Sequence, residues 1–180
     1  MNYDYSFGNK FYNYYGDYGI QSTKYKILAP EQQQNVQPGL EYVMDPLPIF
    51  DNPNYKGSGK LKGKVAIITG GDSGLGRTCA IYFVKEGCKV VIPYYNEHVD
   101  ANNTKKYIES LGGECLLLSG DITDKEFCKR IVNETLNCFG KIDILVNNAA
   151  VQYQQDELEN ITDEQFDRTM KVNIYGMFYL

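Results

Sequence analysis

The sequence lacks any pair of cysteines spaced C-x-x-C. Its five cysteines, Cys79, Cys88, Cys115, Cys128 and Cys138, are odd in number, which argues against a paired disulfide framework or a metal-binding thiol cluster. Each lies in or beside an apolar run, so buried reduced thiols are expected. No run of 18 apolar residues is present to span a membrane, and the first residues are polar and aromatic rather than patterned as a signal peptide. The cytoplasm is therefore the expected compartment. A basic stripe is missing as well. The net charge is −5, with five Lys against six acidic residues in 1–60 and thirteen basic against seventeen acidic in 61–180. That balance argues against a nucleic-acid partner. Proline is scarce after residue 60: only Pro93 falls there, among six in total.

What is present changes character along the chain. Residues 1–26 hold seven of the sixteen tyrosines among Asn, Gly and Asp, with neither helical nor strand periodicity. They read as a flexible tail or a docking segment. Residues 27–60 carry Pro30, Pro38, Pro46, Pro48 and Pro53, which remove amide donors and fix φ, so an extended arm is expected. From residue 61 the pattern alternates. Short Val/Ile/Leu runs at 64–69, 89–94, 115–120 and 142–148 predict strands; the segments at 75–87, 97–111, 124–139 and from 163 predict helices. Continuous apolar strands separated by helices imply βαβ units and a parallel sheet covered on both faces. Capping boxes are expected at Thr123 with Glu126 and at Thr162 with Gln165.

The first strand runs directly into "ITGGDSGLGR". Glycines spaced Gly70-x-x-x-Gly74-x-Gly76 at a strand-to-helix turn let the backbone come close to a pyrophosphate, and the amides and dipole of the helix N-terminus receive its charge. Asp72 and Ser73 can tie the loop through local hydrogen bonds. Arg77 falls in the first helical turn, where a cation opposes the dipole. It reads either as a partner for a nearby anion or as a solvated side chain.

With "LVNNAA" ending the fourth strand, the Thr69-Gly70-x-x-x-Gly74-x-Gly76 loop resembles the short-chain dehydrogenase/reductase family. The likeness extends through "QPGLEYVMDPLPIFDNPNYKGSGKLKGKVAIITGGDSGLGR" and "LVNNAAVQYQQDELENIT" to the subgroup of glucose/ribitol-dehydrogenase-like general stress proteins. It covers about residues 27–180. It implies an α/β fold with a Rossmann-type doubly wound parallel sheet, here its first four strands and their helices, preceded by an extended N-terminal arm. It further implies an NAD(P)-dependent oxidoreductase acting on a small-molecule alcohol, polyol, sugar or carbonyl, assembled as a homotetramer when complete.

Carried over residue by residue, the resemblance places Gly70, Asp72, Ser73, Gly74, Leu75 and Gly76 on the pyrophosphate and adenosine ribose. It places Asp121 and Ile122 at the adenine, although Asp121 also fits a turn acid ahead of Thr123. Asn147, Asn148, Ala149 and Ala150 pass along the nicotinamide side, with Ala150 where the family usually has Gly. The position after the second strand, where an acid selects NAD, holds Tyr94, followed by Tyr95, Asn96 and Glu97. The cofactor stays open between NAD and NADP, with a slight lean to NADP on account of Arg77.

The last helix sets Phe166, Met170, Asn173 and Met177 on one face. Asn173 reads as a core amide tied to backbone or, by resemblance, as the family's relay asparagine. The family's Tyr-x-x-x-Lys is not found, because none of the sixteen tyrosines has Lys four residues on. His98 is expected to be solvated. The sequence thus reads as C-terminally truncated: the cofactor-binding part of an oxidoreductase, inactive and unstable by itself. A non-catalytic nucleotide-binding or scaffolding module is the alternative, and a methyltransferase fits the loop spacing less well.

Overall fold

The computed structural model describes residues 32–180, so the tyrosine-rich segment 1–26 and Pro30 lie outside the described residues. Four strands, β1 (Val65–Ile68), β2 (Lys89–Tyr94), β3 (Cys115–Ser119) and β4 (Ile144–Val146), form one parallel sheet in the order β3-β2-β1-β4. Ala66 pairs with both Val90 and Ile144, which centres the sheet on β1. The chain winds outward from β1 to β3 and then returns to the opposite side of β1. That reversal is the doubly wound topology expected from the sequence.

Strand alternation distributes the core. Ala66, Ile68, Val90 and Ile92 face α1 (Gly74–Lys85) and α2 (His98–Ser110), whose Ala80, Ile81, Val84 and Ile108 complete one apolar cluster. Ile67 and Val91 point the other way, toward Phe127, Cys128 and Ile131 of α3 (Lys125–Phe139), and toward Ile122 and Val172. With both faces buried, successive residues of β1 and β2 must all be apolar, which is why these strands carry no polar alternation.

Helix boundaries follow local chemistry, with two corrections. The box at Thr162 and Gln165 forms, with both reciprocal bonds present, and starts α4 (Asp163–Met170). The one expected at Thr123 and Glu126 does not. Instead Asp124 is the N-cap of α3 and accepts the Glu126 amide at 2.9 Å, because Thr123 lies one residue too early and its own amide bonds Asp121 Oδ1. The second correction concerns the last helix. After α4 the turn widens into a π-helical segment, Lys171–Tyr175, before α5 (Gly176–Tyr179). The extra residue rotates the remainder of the helix, leaving Gly176 buried and Met177 exposed; Val172 is buried within the widened turn, and Phe166, which precedes it, is exposed already on α4. Gly176 is required there, since a Cβ would stand 2.8 Å from Ile122 Cδ1. The thiols also divide: all five are free, but only Cys88 and Cys128 are buried, Cys79 and Cys115 are half-buried, and Cys138 is exposed on α3.

Residues 34–60 contain one 3-10 turn, Glu41–Val43, and are otherwise held by side chains. Phe50 is buried in the α1/α2 cluster. The Lys85 ammonium donates to Asp51 Oδ2 at 2.7 Å, as does the Tyr107 hydroxyl. Glu86, at the end of α1, accepts the amides of Ser58 and Lys60 at 2.9 Å each and the Tyr55 hydroxyl. These donors, Tyr55 first, pull its carboxyl down to about 2. A depressed acid stabilises the fold fully above its ordinary value near 4.5, and the gain disappears as pH falls through about 2. Glu86→Gln is therefore expected to lower Tm at pH 7, with the difference from wild type closing as pH approaches 2. A pH-independent difference in thermal melts would count against this.

Candidate functional site

At the C-terminal ends of β1 and β4, where the winding reverses, three segments meet closely. Thr69 is the anchor. Its hydroxyl accepts the amides of Asn148 at 3.1 Å and Ala149 at 3.0 Å. The Asn148 side-chain amide reaches back to the carbonyls of Thr69 at 2.9 Å and Gly70 at 3.0 Å. Gly70 has a φ of 63° and donates its amide to the Pro93 carbonyl at 2.8 Å. Gly76, in the first turn of α1, packs so closely that a Cβ would lie 2.2 Å from the Gly70 carbonyl oxygen. The glycine spacing legible in the sequence is thus needed for backbone contact within the protein, and the same geometry sets the first turn of the helix beside an open space.

That space is a cleft of about 530 Å³, in the size range of small-molecule sites. Of the residues expected from the sequence, Gly70, Asp72, Ser73, Gly74, Leu75, Tyr94, Asp121, Ile122, Asn148, Ala149 and Ala150 line it. Gly76 does not line it and instead holds the helix against Gly70. Leu75 is 84% exposed, an apolar side chain standing free at the cleft. Asn173 is also outside the lining. Its side chain accepts the Val151 amide at 2.8 Å and donates to the Val151 carbonyl at 2.9 Å, so the structure has the backbone-tied amide, and it fixes the segment after Ala150.

Several lining residues carried no signal in the sequence: Gln37 and Pro38 come from the N-terminal arm, Tyr153 from the loop after β4, and Arg168 from α4. Glu97, named there only as following Tyr94, lines the cleft from the N-cap of α2. Arg168 donates to Asp121 Oδ2 at 2.7 Å, while Asp121 Oδ1 accepts the Thr123 amide at 2.9 Å. Burial acts to raise the Asp121 carboxyl, but the Thr123 amide and Arg168 outweigh it and hold it below its ordinary value. Each oxygen keeps a second lone pair for a ligand. Tyr94 is 8% exposed and its hydroxyl shares a 2.9 Å hydrogen bond with His98 Nδ1.

Arg77 is not solvated, and its anion is internal. It pairs with Glu41 of the arm, with both side chains buried, and lies over the Phe50 ring at 3.9 Å. The other Glu41 oxygen accepts the Gly74 amide at 2.6 Å. Ser73 occupies the N-cap position of α1, but its side chain makes no capping bond, so a carboxylate from 33 residues upstream of Gly74 neutralises this helix end. The reason for favouring NADP on account of Arg77 therefore falls away.

Asp72 is buried, and its main-chain carbonyl accepts the Thr104 hydroxyl at 2.6 Å. Burial pushes its carboxyl up to about 6, opposed by its own amide and the Ser73 hydroxyl and reinforced by Glu97 and Asp100.

The family model for short chain dehydrogenase matches residues 64–180. The chain is 55% identical over 161 residues to the uncharacterized oxidoreductase YhxC of Bacillus subtilis (strain 168), covering 89% of this chain and 55% of that one. It is 49% identical to General stress protein 39 of the same organism, covering 88% and 55%. It is 40% identical to the glucose and ribitol dehydrogenase of Daucus carota, covering 84% and 54%. Among solved structures, a 3-ketoacyl-(acyl-carrier-protein) reductase from Brucella melitensis complexed with NADH superposes with a TM-score of 0.62 at 37% identity over 67% of this chain and 48% of that one. A short chain dehydrogenase from Burkholderia cenocepacia J2315 in complex with NADP gives 0.63 at 31%, covering 67% and 49%. The chain belongs to the short-chain dehydrogenase/reductase family, and it spans about half the length of the curated relatives it matches.

Two outcomes are expected. Gly76→Ala forces backbone against backbone and should cost about 1–3 kcal/mol, read as a lower denaturant midpoint; an unchanged midpoint would show that the contact can relax. A carboxyl raised by burial opposes folding once ionised, so its contribution to stability falls by roughly 3 kcal/mol as pH rises from about 4 to about 6. Asp72→Asn should thus melt above wild type at pH 8 and lose that advantage by pH 4.

Proposed function

We propose that residues 61–180 are the cofactor-binding part of an NAD(P)-dependent oxidoreductase that interconverts a small alcohol, polyol or sugar and the matching carbonyl compound. The observation that carries the reading is the glycine cradle: Gly70 and Gly76 in contact, locked by Asn148, with a helix N-terminus beside a cleft at the point where the strand order reverses. Open α/β sheets bind nucleotides at this position. Gly70, Ser73 and Leu75 would receive the pyrophosphate and adenosine ribose, with Gly74 beside them in the cleft wall and its amide held by Glu41. Asp121 and Ile122 would flank the adenine, and Asn148, Ala149 and Ala150 would line the nicotinamide side. When bound, the nicotinamide supplies hydride transfer. Asn173 acts as a positioning residue by fixing the Val151 backbone next to that end.

The polyol and carbonyl substrate class is supported by the relatives, among them the Daucus carota dehydrogenase and an Arabidopsis thaliana NADPH-dependent aldehyde reductase 1 at 40% identity. The 180 residues hold no Tyr-x-x-x-Lys pair, the arrangement in which a cation lowers the pKa of the tyrosine that donates the proton. They are therefore expected to bind the cofactor without turning it over.

Titration of the purified protein with NADH and NADPH should give saturable nicotinamide fluorescence changes, while adenosylmethionine should not compete. Asn148→Ala, which releases the Gly70 carbonyl, should weaken binding about tenfold. Residues 1–180 should oxidise neither glucose nor ribitol. A folded protein that binds neither dinucleotide would end this proposal; turnover by the 180 residues would place the proton donor elsewhere in the sequence.

A further inference from the structure

Glu97 lies three residues past the end of β2, at the N-cap of α2, where its side chain makes no capping bond. It is 4% exposed and lines the cleft. One oxygen, Oε2, accepts the Asn96 amide at 3.0 Å. The other, Oε1, is buried and has no hydrogen-bond partner among the described residues. A buried carboxylate oxygen left without a donor costs considerable free energy, and apolar packing cannot offset it. It calls for a donor that arrives from the cleft.

The surroundings define that donor. Asp72, buried in the same wall, has its carboxyl raised in part by Glu97, so the two acids face a shared region. Two arginines stand nearby, and each is engaged: Arg77 with Glu41 and Arg168 with Asp121. A neutral hydroxyl satisfies Glu97 without adding charge. A phosphate in the same place would bring about two negative charges at neutral pH against the carboxyl groups of Glu97 and Asp72, with both of these arginines already ion-paired.

We propose that Glu97 accepts a hydrogen bond from a hydroxyl of the adenosine ribose and thereby selects NAD over NADP. This rests on the cofactor reading above and adds the residue that discriminates. An acid commonly takes this diol from the end of the second strand; here Tyr94 fills that position and bonds His98, and the acid comes from the start of the next helix.

The test is paired titration of NADH and NADPH into wild type, Glu97→Gln and Glu97→Ala, with cofactor-free melts of each. Wild type should bind NADH at least about tenfold more tightly than NADPH. Glu97→Gln should narrow that ratio by about ten- to a hundredfold, through weaker NADH and stronger NADPH binding. Its cofactor-free Tm should be unchanged or higher, because the variant removes an unpaired buried charge. Wild type binding NADPH as tightly as NADH would overturn the inference. So would variants that lose both cofactors in equal proportion, the result of a merely structural role. In both cases the cofactor-binding reading would survive. Failure of folded wild type to bind either dinucleotide would remove that reading and this inference together.

Discussion

The approach of Gly76 to the Gly70 carbonyl is the contact on which the rest of the site depends. Strand β1, strand β4 and helix α1 converge where no side chain fits, and the Asn148 amide fastens the segment after β4 to the end of β1 by bonding two carbonyls at once. The Thr69 hydroxyl does the same from the other side by accepting two successive amides after β4. Because every partner here is backbone or a short side chain tied to backbone, the end of α1 is held at a set distance from the strand ends. The cleft exists because that distance is fixed.

The N-terminal arm makes a second contribution, electrostatic rather than steric. A cation in the first turn of a helix is unfavourable by about 0.3–1 kcal/mol, and burying it is far worse unless it is paired. Glu41 answers both problems, with one oxygen on Arg77 and the other on the Gly74 amide. The Glu41 amide in turn bonds Asp100 Oδ2 at 2.8 Å, which connects the arm to α2. The arm is thus part of the domain's charge balance, and Gln37 and Pro38 continue it into the cleft wall. Loss of Glu41 would leave a buried guanidinium and an uncapped helix, so the arm and the glycine loop are energetically one unit.

Much of this is legible in the sequence, for identifiable reasons. The parallel sheet comes from unbroken apolar strands, since only strands covered on both faces dispense with polar alternation. The glycine loop comes from spacing, and the start of α4 from Thr162 and Gln165, whose bonds lie within four residues. The facing of the last helix is not legible, because a single widened turn changes the phase of every residue after it. An apolar stripe at Phe166 and Met177 gives no sign of that turn. Cys138 is a related case: neighbouring apolar residues in sequence do not mean burial when the helix turns that side outward.

Strand and helix order, the fold class and the loop that opens α1 all follow from the order of the residues, because each rests on interactions between residues a few positions apart or on a period that backbone geometry enforces. Which charges meet is set instead by how the folded chain brings distant residues together. Glu41 reaches Arg77 across 36 residues, Arg168 reaches Asp121 across 47, and Glu97 is buried in the cleft wall with one oxygen lacking a donor among the described residues. Such pairings carry no periodicity, since a carboxylate's partner is set by where the chain returns in space. They decide the chemistry of the cleft all the same.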